Sequence, residues 1–376
     1  MTVSILFRAK MTPIMNSKNR VVTLKDIALE TGLSFKTVSR VLRDEPNVSP
    51  ATAALVQAAA KRLGYVPHAS ARNLASAVPN VISMVQFKPF DLNVTRSGYE
   101  YFMGMLIGVL DACRKLEIGT MVVDFDRDKP SAVHDLISLV RQRQVGGYVI
   151  PAPVCDIPGL CATLLAEGIP FSSISPADTL ASPAWVCVDE AKAMRALVEH
   201  LIDMGHRRIG TLVAEADTRA ARQRFDGYLQ AMHAHGLPVE PAWIVQSRMD
   251  FDSGRNAAHM LFRLPQPPSA IVACSDDCAA GVIAAAQERG IDFPSQLSVT
   301  GYTDADLARK IWPGITTVHQ PLSRMAALAT QQVAMQMQPH RVSLGQVSMQ
   351  QTLEAKLVHR GSVLRCAQWS TPSSSQ

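Results

Sequence analysis

The chain has 376 residues, of which 47% are hydrophobic and 18% charged, with a net charge of +5. This length exceeds one ordinary domain, and the composition lies in the globular range, with room for large buried cores. The most apolar run, Met103 to Leu110, is about half of what a bilayer span requires, and residues 1–20 lack the apolar core of a secretory signal, so a cytoplasmic chain is expected.

The charge is unevenly placed. Residues 1–76 carry 11 Lys/Arg against 4 Asp/Glu, while the remaining 300 stand at −2. Positive charge gathered on a short segment suits a polyanion partner, or simply a solvated basic face; charge alone leaves both open.

Residues 1–20, with Arg8, Lys10, Lys18 and Arg20, read as a disordered basic arm. A reader domain is expected over 21–67. Its first helix follows Thr23 as N-cap, with Leu24, Ile27 and Ala28 on one face, and ends at Gly32, a residue suited to a left-handed turn. Ser34 caps a second helix, Phe35 to Leu42, with Val38, Val41 and Leu42 inward. Ser49-Pro50 opens a third helix to Leu63, in which Leu55, Ala59 and Leu63 close the core. The spacing of Ala28, Gly32 and Val38 lets the first two helices cross as in a helix-turn-helix.

With Val38 and Val41 inward, Phe35, Lys36, Thr37, Ser39 and Arg40 face outward. Arg40 suits guanine, Lys36 guanine or phosphate, and Phe35 a thymine methyl. Ser34, Thr37 and Ser39 suit phosphates, and Thr23 is counted with the DNA-contacting set. Residues 68–78 form a hinge in which Ala69 to Ala75 is too short a helix to stand alone. Its one large apolar side chain, Leu74, fits a wedge between base steps of a minor groove.

Beyond Pro79, strands and helices alternate: strand-like runs at 81–87, 120–124, 147–150, 171–174, 185–188, 208–213, 243–246, 270–273 and 297–301 are mostly separated by helical stretches. That pattern predicts parallel sheets covered on both faces, in two lobes, with a ligand between them at the strand carboxyl ends. The lobes are expected at 79–176 plus 304–318 and at 177–303 plus 319–360, followed by a disordered tail, 361–376.

Seven dispersed cysteines lack zinc spacings and read as buried free thiols, Cys274 and Cys278 included. Neither metal nor cofactor is expected. No phosphate loop, HExxH or GxSxG occurs, and His206 reads as a structural histidine in a turn, so no catalytic residue is assigned. Arg224, in RQRFDGY, and Asp276, in AIVACSDDCAAG, fall near the expected cleft. Spacing alone leaves a salt-bridged surface arginine and a helix N-cap open beside binding roles.

The runs TLKDIALETGLSFKTVSRVL, VSPAT, LGYVP and ARNLA resemble the LacI/GalR family of bacterial repressors, and the resemblance continues to about Val358. It implies a helix-turn-helix joined to a periplasmic-binding-protein-like (type I) α/β domain. It also implies a nucleoid-associated homodimer on a near-palindromic double-stranded operator. The positions of Phe35, Lys36 and Arg40 would read bases, and Ala71 and Leu74 belong to the DNA-contacting hinge. Arg224 matches the effector-binding arginine of R-x-x-G-[FYW] and Asp276 the aspartate of [ND]-D-x-x-A-x-G. An arginine fork and a carboxylate suit vicinal hydroxyls, so a carbohydrate effector is expected. Phe251, Phe87, Tyr99 and Ser175 complete the effector set. Ser275 and the GYTD at 301–304 depart from the family pattern, as does His68. Two other readings stay open: a periplasmic-type sugar-binding protein, and a sugar-metabolism enzyme with a fused DNA-binding domain.

Overall fold

The computed structural model describes residues 22–42, 48–65, 79–88, 99–126, 128–215, 218–337 and 348–366. Expectations for the N-terminal arm, for the hinge with Ala71 and Leu74, and for the chain beyond Cys366 fall outside these residues. The chain divides into two units, Met1–Ala75 and Ser76–Gln376.

In the first unit, α1 (Leu24–Thr31) starts at Thr23, whose backbone N–H and hydroxyl donate to the Asp26 carboxylate at 2.8 and 2.7 Å. It stops at Gly32, where φ is 69°, a conformation that costs glycine little. The Ser34 hydroxyl accepts from the Thr37 N–H at 3.1 Å and opens α2 (Phe35–Val41). Ser49 does the same for α3 (Pro50–Leu63), with Pro50 in the first turn, where its missing N–H costs nothing. Ile27, Val38, Val41, Val56, Ala59 and Ala60 form the core.

Two expectations are corrected here. Leu55 is 48% exposed and Val56 fully buried, because a helix starting at Pro50 turns positions 56, 59, 60 and 63 inward. Ser39 is buried rather than outward: at about 100° per residue it lies only about 60° round from Leu42, on the edge of the inward arc, and its side chain is small enough to tuck in.

The second unit is two-lobed. Its first lobe carries β1 (Val81–Lys88), α4 (Tyr99–Lys115), β2 (Gly119–Asp126), α5 (Ala132–Arg141), β3 (Gly147–Pro151), α6 (Leu160–Ala166), β4 (Phe171–Ile174) and β5 (Trp185–Val188). To these the chain later adds α12 (Leu322–Met337) and β11 (Gln350–Leu353). The sheet runs β11-β5-β4-β3-β1-β2, every neighbouring pair parallel. α4 and α12 cover one face through Val109, Met325 and Val333, and α5 and α6 the other through Leu136, Leu160 and Leu164.

The second lobe holds α7 (Glu190–Asp203), β6 (Ile209–Ala214), α8 (Arg219–Ala234), β7 (Ile244–Ser247), α9 (Phe251–Leu261), β8 (Ala270–Val272), α10 (Asp276–Glu288), β9 (Ser298–Thr300), α11 (Asp306–Lys310), β10 (Thr317–His319) and β12 (Lys356–Val358). Its parallel sheet runs β7-β6-β8-β9, and β10 pairs antiparallel with β12.

The lobe boundaries therefore differ from those expected. The chain passes between lobes at Asp189, at Gln320-Pro321 and at Glu354-Ala355. β5 pairs with β4, and β11 with β5, so residues 177–188, 322–337 and 348–353 belong to the first lobe. Ala308 and Ile315 sit in the second lobe's core, so 304–318 belong there. The packed chain also runs past residue 360. Ser362 and Val363 are buried, and the buried His206 ring meets Ser269 Oγ at 3.0 Å and, through Nε2, Ser298 Oγ at 3.0 Å and the Leu364 carbonyl at 3.1 Å. Among the described residues no helix is long and apolar enough to cross a membrane.

Candidate functional site

Two surfaces carry the chemistry. On the first unit, α2 presents Phe35, 52% exposed, and Lys36 to solvent, with Thr37 and Arg40 half-buried beside them. The Thr37 and Ser34 hydroxyls are 2.8 Å apart at the helix start, and Thr23 is exposed at the start of α1. These groups form one face of donors around an aromatic edge. Ser39, being buried, is not on it.

On the second unit, a cavity of about 260 Å³ opens between the lobes. The first lobe contributes Glu100, Tyr101, Ala152, Pro153 and Ser175. The second contributes the carboxyl ends of β6 and β8 and the starts of α8 and α10, with Arg224, Cys274, Asp276 and Asp277. Strand ends facing helix N-termini are where open parallel sheets hold ligands.

Arg224 is largely buried. Its Nε donates to Glu190 Oε2 at 2.9 Å, its Nη1 donates to the Cys274 carbonyl at 3.3 Å, and its guanidinium lies 3.8 Å over the Tyr302 ring. Burial works against the charge, but Glu190 more than offsets it and holds the arginine protonated. Glu190 is 2% exposed and fully engaged: Tyr302 Oη donates to Oε2 at 2.5 Å and Gln320 Nε2 to Oε1 at 2.9 Å. Glu190 follows the first crossover between lobes and Gln320 lies in the second. The cavity arginine is thus bonded directly into the joints of the two lobes.

This approach depends on Gly227, one turn along α8 from Arg224. A Cβ there would come 2.3 Å from the Ala191 carbonyl oxygen, so only glycine lets α8 sit against α7 closely enough for Arg224 to reach Glu190.

Asp276 occupies the first turn of α10; the N-cap is Ser275, whose hydroxyl accepts from the Cys278 N–H at 3.1 Å. Oδ2 of Asp276 accepts from the Ala305 N–H and Oδ1 from the Thr317 hydroxyl, each at 2.7 Å. Burial pushes its pKa up to about 7, against those two hydrogen bonds, and the nearby Asp304 and Asp277 raise it further. Asp277 is also raised, by burial and then by Glu100 and Asp250. The wall therefore holds Glu100, Asp276 and Asp277 with no cation among its lining residues except Arg224, which Glu190 already balances.

Of the six residues expected at the effector site, Arg224, Asp276 and Ser175 line the cavity. The other three do not. Met249 takes the wall position expected for Phe251, which opens α9 with its ring 43% exposed. Tyr99 is likewise 43% exposed, and its helix neighbours Glu100 and Tyr101 point to the cavity in its stead. Phe87 packs against the first lobe's core. Sequence reasoning missed Glu190, Tyr302, Gln320 and Tyr101. The GYTD segment holding Tyr302 did stand out as a departure, the one signal available for it.

A helix-turn-helix reader and a two-lobed α/β unit with a cavity between its lobes define the class of transcriptional regulators that bind DNA. Residues 23–68 match the bacterial regulatory proteins of the lacI family, and residues 198–363 a periplasmic binding protein-like domain. Catabolite control protein A of Priestia megaterium is 28% identical over 337 residues, covering 89% of this chain and 98% of the relative. The ribose operon repressor of Haemophilus influenzae is 28% identical, covering 83% and 90%. The fold is shared with a lac repressor dimer bound to operator and an anti-inducer, at a TM-score of 0.74, 23% identity and coverage of 92% and 100%. It is shared too with a regulator–cellobiose complex, at a TM-score of 0.65, 24% identity and coverage of 91% and 100%. The reader, residues 23–68, is of the lacI type of bacterial regulatory proteins, and the chain is a DNA-binding transcriptional regulator.

Proposed function

We propose that this regulator is a homodimeric repressor whose hold on a near-palindromic operator is set by an uncharged polyhydroxyl ligand, a sugar, in the interlobe cavity. The bond from Arg224 to Glu190, and from there to Gln320, carries the reading. A ligand that draws on Arg224 changes the load on both crossovers, so cavity occupancy and lobe angle are linked, and ligand and operator affinities are coupled reciprocally. Sugar chemistry fits the wall. Asp276 and Ser175 accept from hydroxyls, the remaining Arg224 donors serve ring and hydroxyl oxygens, and Tyr101, Met194, Phe225 and Met249 offer apolar faces. Carboxylates outnumbering free cations favour a ligand without negative charge. A relative named for ribose, and a solved neighbour holding cellobiose, support the same class, and the lac repressor dimer on its operator supports the assembly.

The test is a thermal-shift screen of neutral mono- and disaccharides beside sugar phosphates, sugar acids and nucleobases. Neutral saccharides should raise the melting temperature; a rise with nucleobases alone would remove the sugar assignment. The DNA-contacting roles of Ala71 and Leu74 stand as part of this proposal. Leu74→Ala should weaken specific operator binding far more than non-specific binding, and equal losses would refute the wedge.

A further inference from the structure

Two cysteines face one another in the wall of the cavity. Cys274, at the end of β8, lines the cavity and is 4% exposed; Cys278, in the first turn of α10, is fully buried behind it. Their sulfurs are 3.6 Å apart, the Cys274 thiol donating to Cys278, with no covalent bond between them. The Cys278 sulfur also lies 3.0 Å from the Ser247 hydroxyl and 3.3 Å from the Asp250 carbonyl oxygen, so its position is fixed.

We propose that Cys274 and Cys278 are a modification site: a thiol pair that a small hydroperoxide entering the cavity oxidises to an intrachain disulfide. The geometry asks for little. The sulfurs close from 3.6 Å to about 2.05 Å, a movement that side-chain rotation and a small shift at the start of α10 supply. The chemistry follows the usual thiol ladder. The pair's thiolate attacks a peroxide oxygen, the O–O bond breaks and hydroxide leaves, giving a sulfenic acid. The other thiol then attacks that sulfur, the S–S bond forms and water departs. Two thiols lose two electrons and the peroxide gains them.

Thiolate character on one member, Cys278, is what separates this pair from the other buried cysteines; its partner Cys274 is raised, by its hydrogen bond to Cys278 and then by burial, and stays the thiol. Cys278 is lowered to about 7, by hydrogen bonding from Cys274 first and then, against burial, from Ser247, Ser275 and Ser253. Its place in the first turn of a helix acts in the same direction. Cys113, Cys155, Cys161 and Cys187 are instead raised, burial being the largest cause for each. Those thiols are poor nucleophiles at neutral pH.

The disulfide would close a ring around Ser275, Asp276 and Asp277, three residues of the cavity wall, and would pull on Cys274, whose carbonyl accepts from Arg224. Oxidation is thus placed to reshape the site that holds Asp276.

Trypsin releases both cysteines in one peptide, Leu264–Arg289, with no other cysteine in it. The full chain should be treated with hydrogen peroxide, alkylated and digested. The expected result is a peptide lighter by two hydrogens that takes no alkyl group, and that takes two after dithiothreitol. Cys274→Ser should instead stop at a sulfenic acid on Cys278, trapped by dimedone. Cys366, partly exposed, reports that oxidant was delivered. The proposal is overturned if Cys366 oxidises while the peptide still takes two alkyl groups, or passes to sulfinic acid with no disulfide.

Discussion

Arg224 and Glu190 form an ion pair whose side chains are 13% and 3% exposed, 2.9 Å apart. Removing one partner of such a pair strands a charge away from water, a loss of about 3–5 kcal/mol. Arg224→Ala should therefore lower the melting temperature on the order of 10 °C as well as abolish ligand response. Replacing both partners, as Arg224→Met with Glu190→Gln, should recover most of the stability and none of the response. Calorimetry of the two single variants and the double variant checks this. A double variant no more stable than Arg224→Ala would show that the pair is not the source of the loss.

Gly227 tests the same contact from the backbone. Gly227→Ala places a methyl against the Ala191 carbonyl oxygen, with a cost of about 1–3 kcal/mol for overpacking. The relief is a displacement of α8 from α7, which lengthens the Arg224–Glu190 bond. The expected variant folds, binds operator, and responds to ligand with at least tenfold lower affinity. Unaltered ligand affinity would mean that the helices part without disturbing the arginine.

The fold was legible because local rules repeat. Caps at Ser34 and Ser49, glycine at Gly32, and nine strand-like runs appear where period and turn chemistry place them. Long-range pairing was not legible. β11 is QQTL, polar and half-exposed, and nothing local says that it returns to β5. Hence the lobe boundaries were misplaced. The cavity was half legible for the same reason. Arg224 and Asp276 stand in motifs, whereas Glu190 looks like any acid in a first helical turn. Its depth comes from Tyr302 and Gln320, more than a hundred residues away. Phe251 and Tyr99 failed because one step along a helix turns a side chain by about 100°.

Asp276 makes stability depend on pH. Its folded pKa of about 7 lies above the ordinary 3.8. Between those values the folded chain keeps a proton that the unfolded chain has released, so stability falls as pH rises through that window. Asp276→Asn removes the titration and retains partners, since its amide oxygen accepts from the Ala305 N–H and its amide donates to the Thr317 hydroxyl. The variant should melt above the parent at pH 8, by a few kcal/mol, and with it only below about pH 4. Melting curves across that range decide it, and a pH-independent difference would exclude Asp276 as the titrating group.

On the reader, exposure separates two kinds of contact. Arg40→Ala should cost specific operator binding about 1–3 kcal/mol and relax discrimination at one base pair, if its fork pairs with a guanine. Lys36→Ala should weaken binding to specific and random DNA alike to the extent that it meets phosphate, reducing the slope of log K against log salt by about 1. Ser39 is the control that distinguishes sequence expectation from structure. Its hydroxyl is buried, so Ser39→Ala should leave the salt slope unchanged and act only on the melting of the reader. Titrations of labelled operator and random duplex at several salt concentrations measure all three. A salt slope that falls in Ser39→Ala but not in Lys36→Ala would put the phosphate contact back on the serine and reject the outward face drawn for α2.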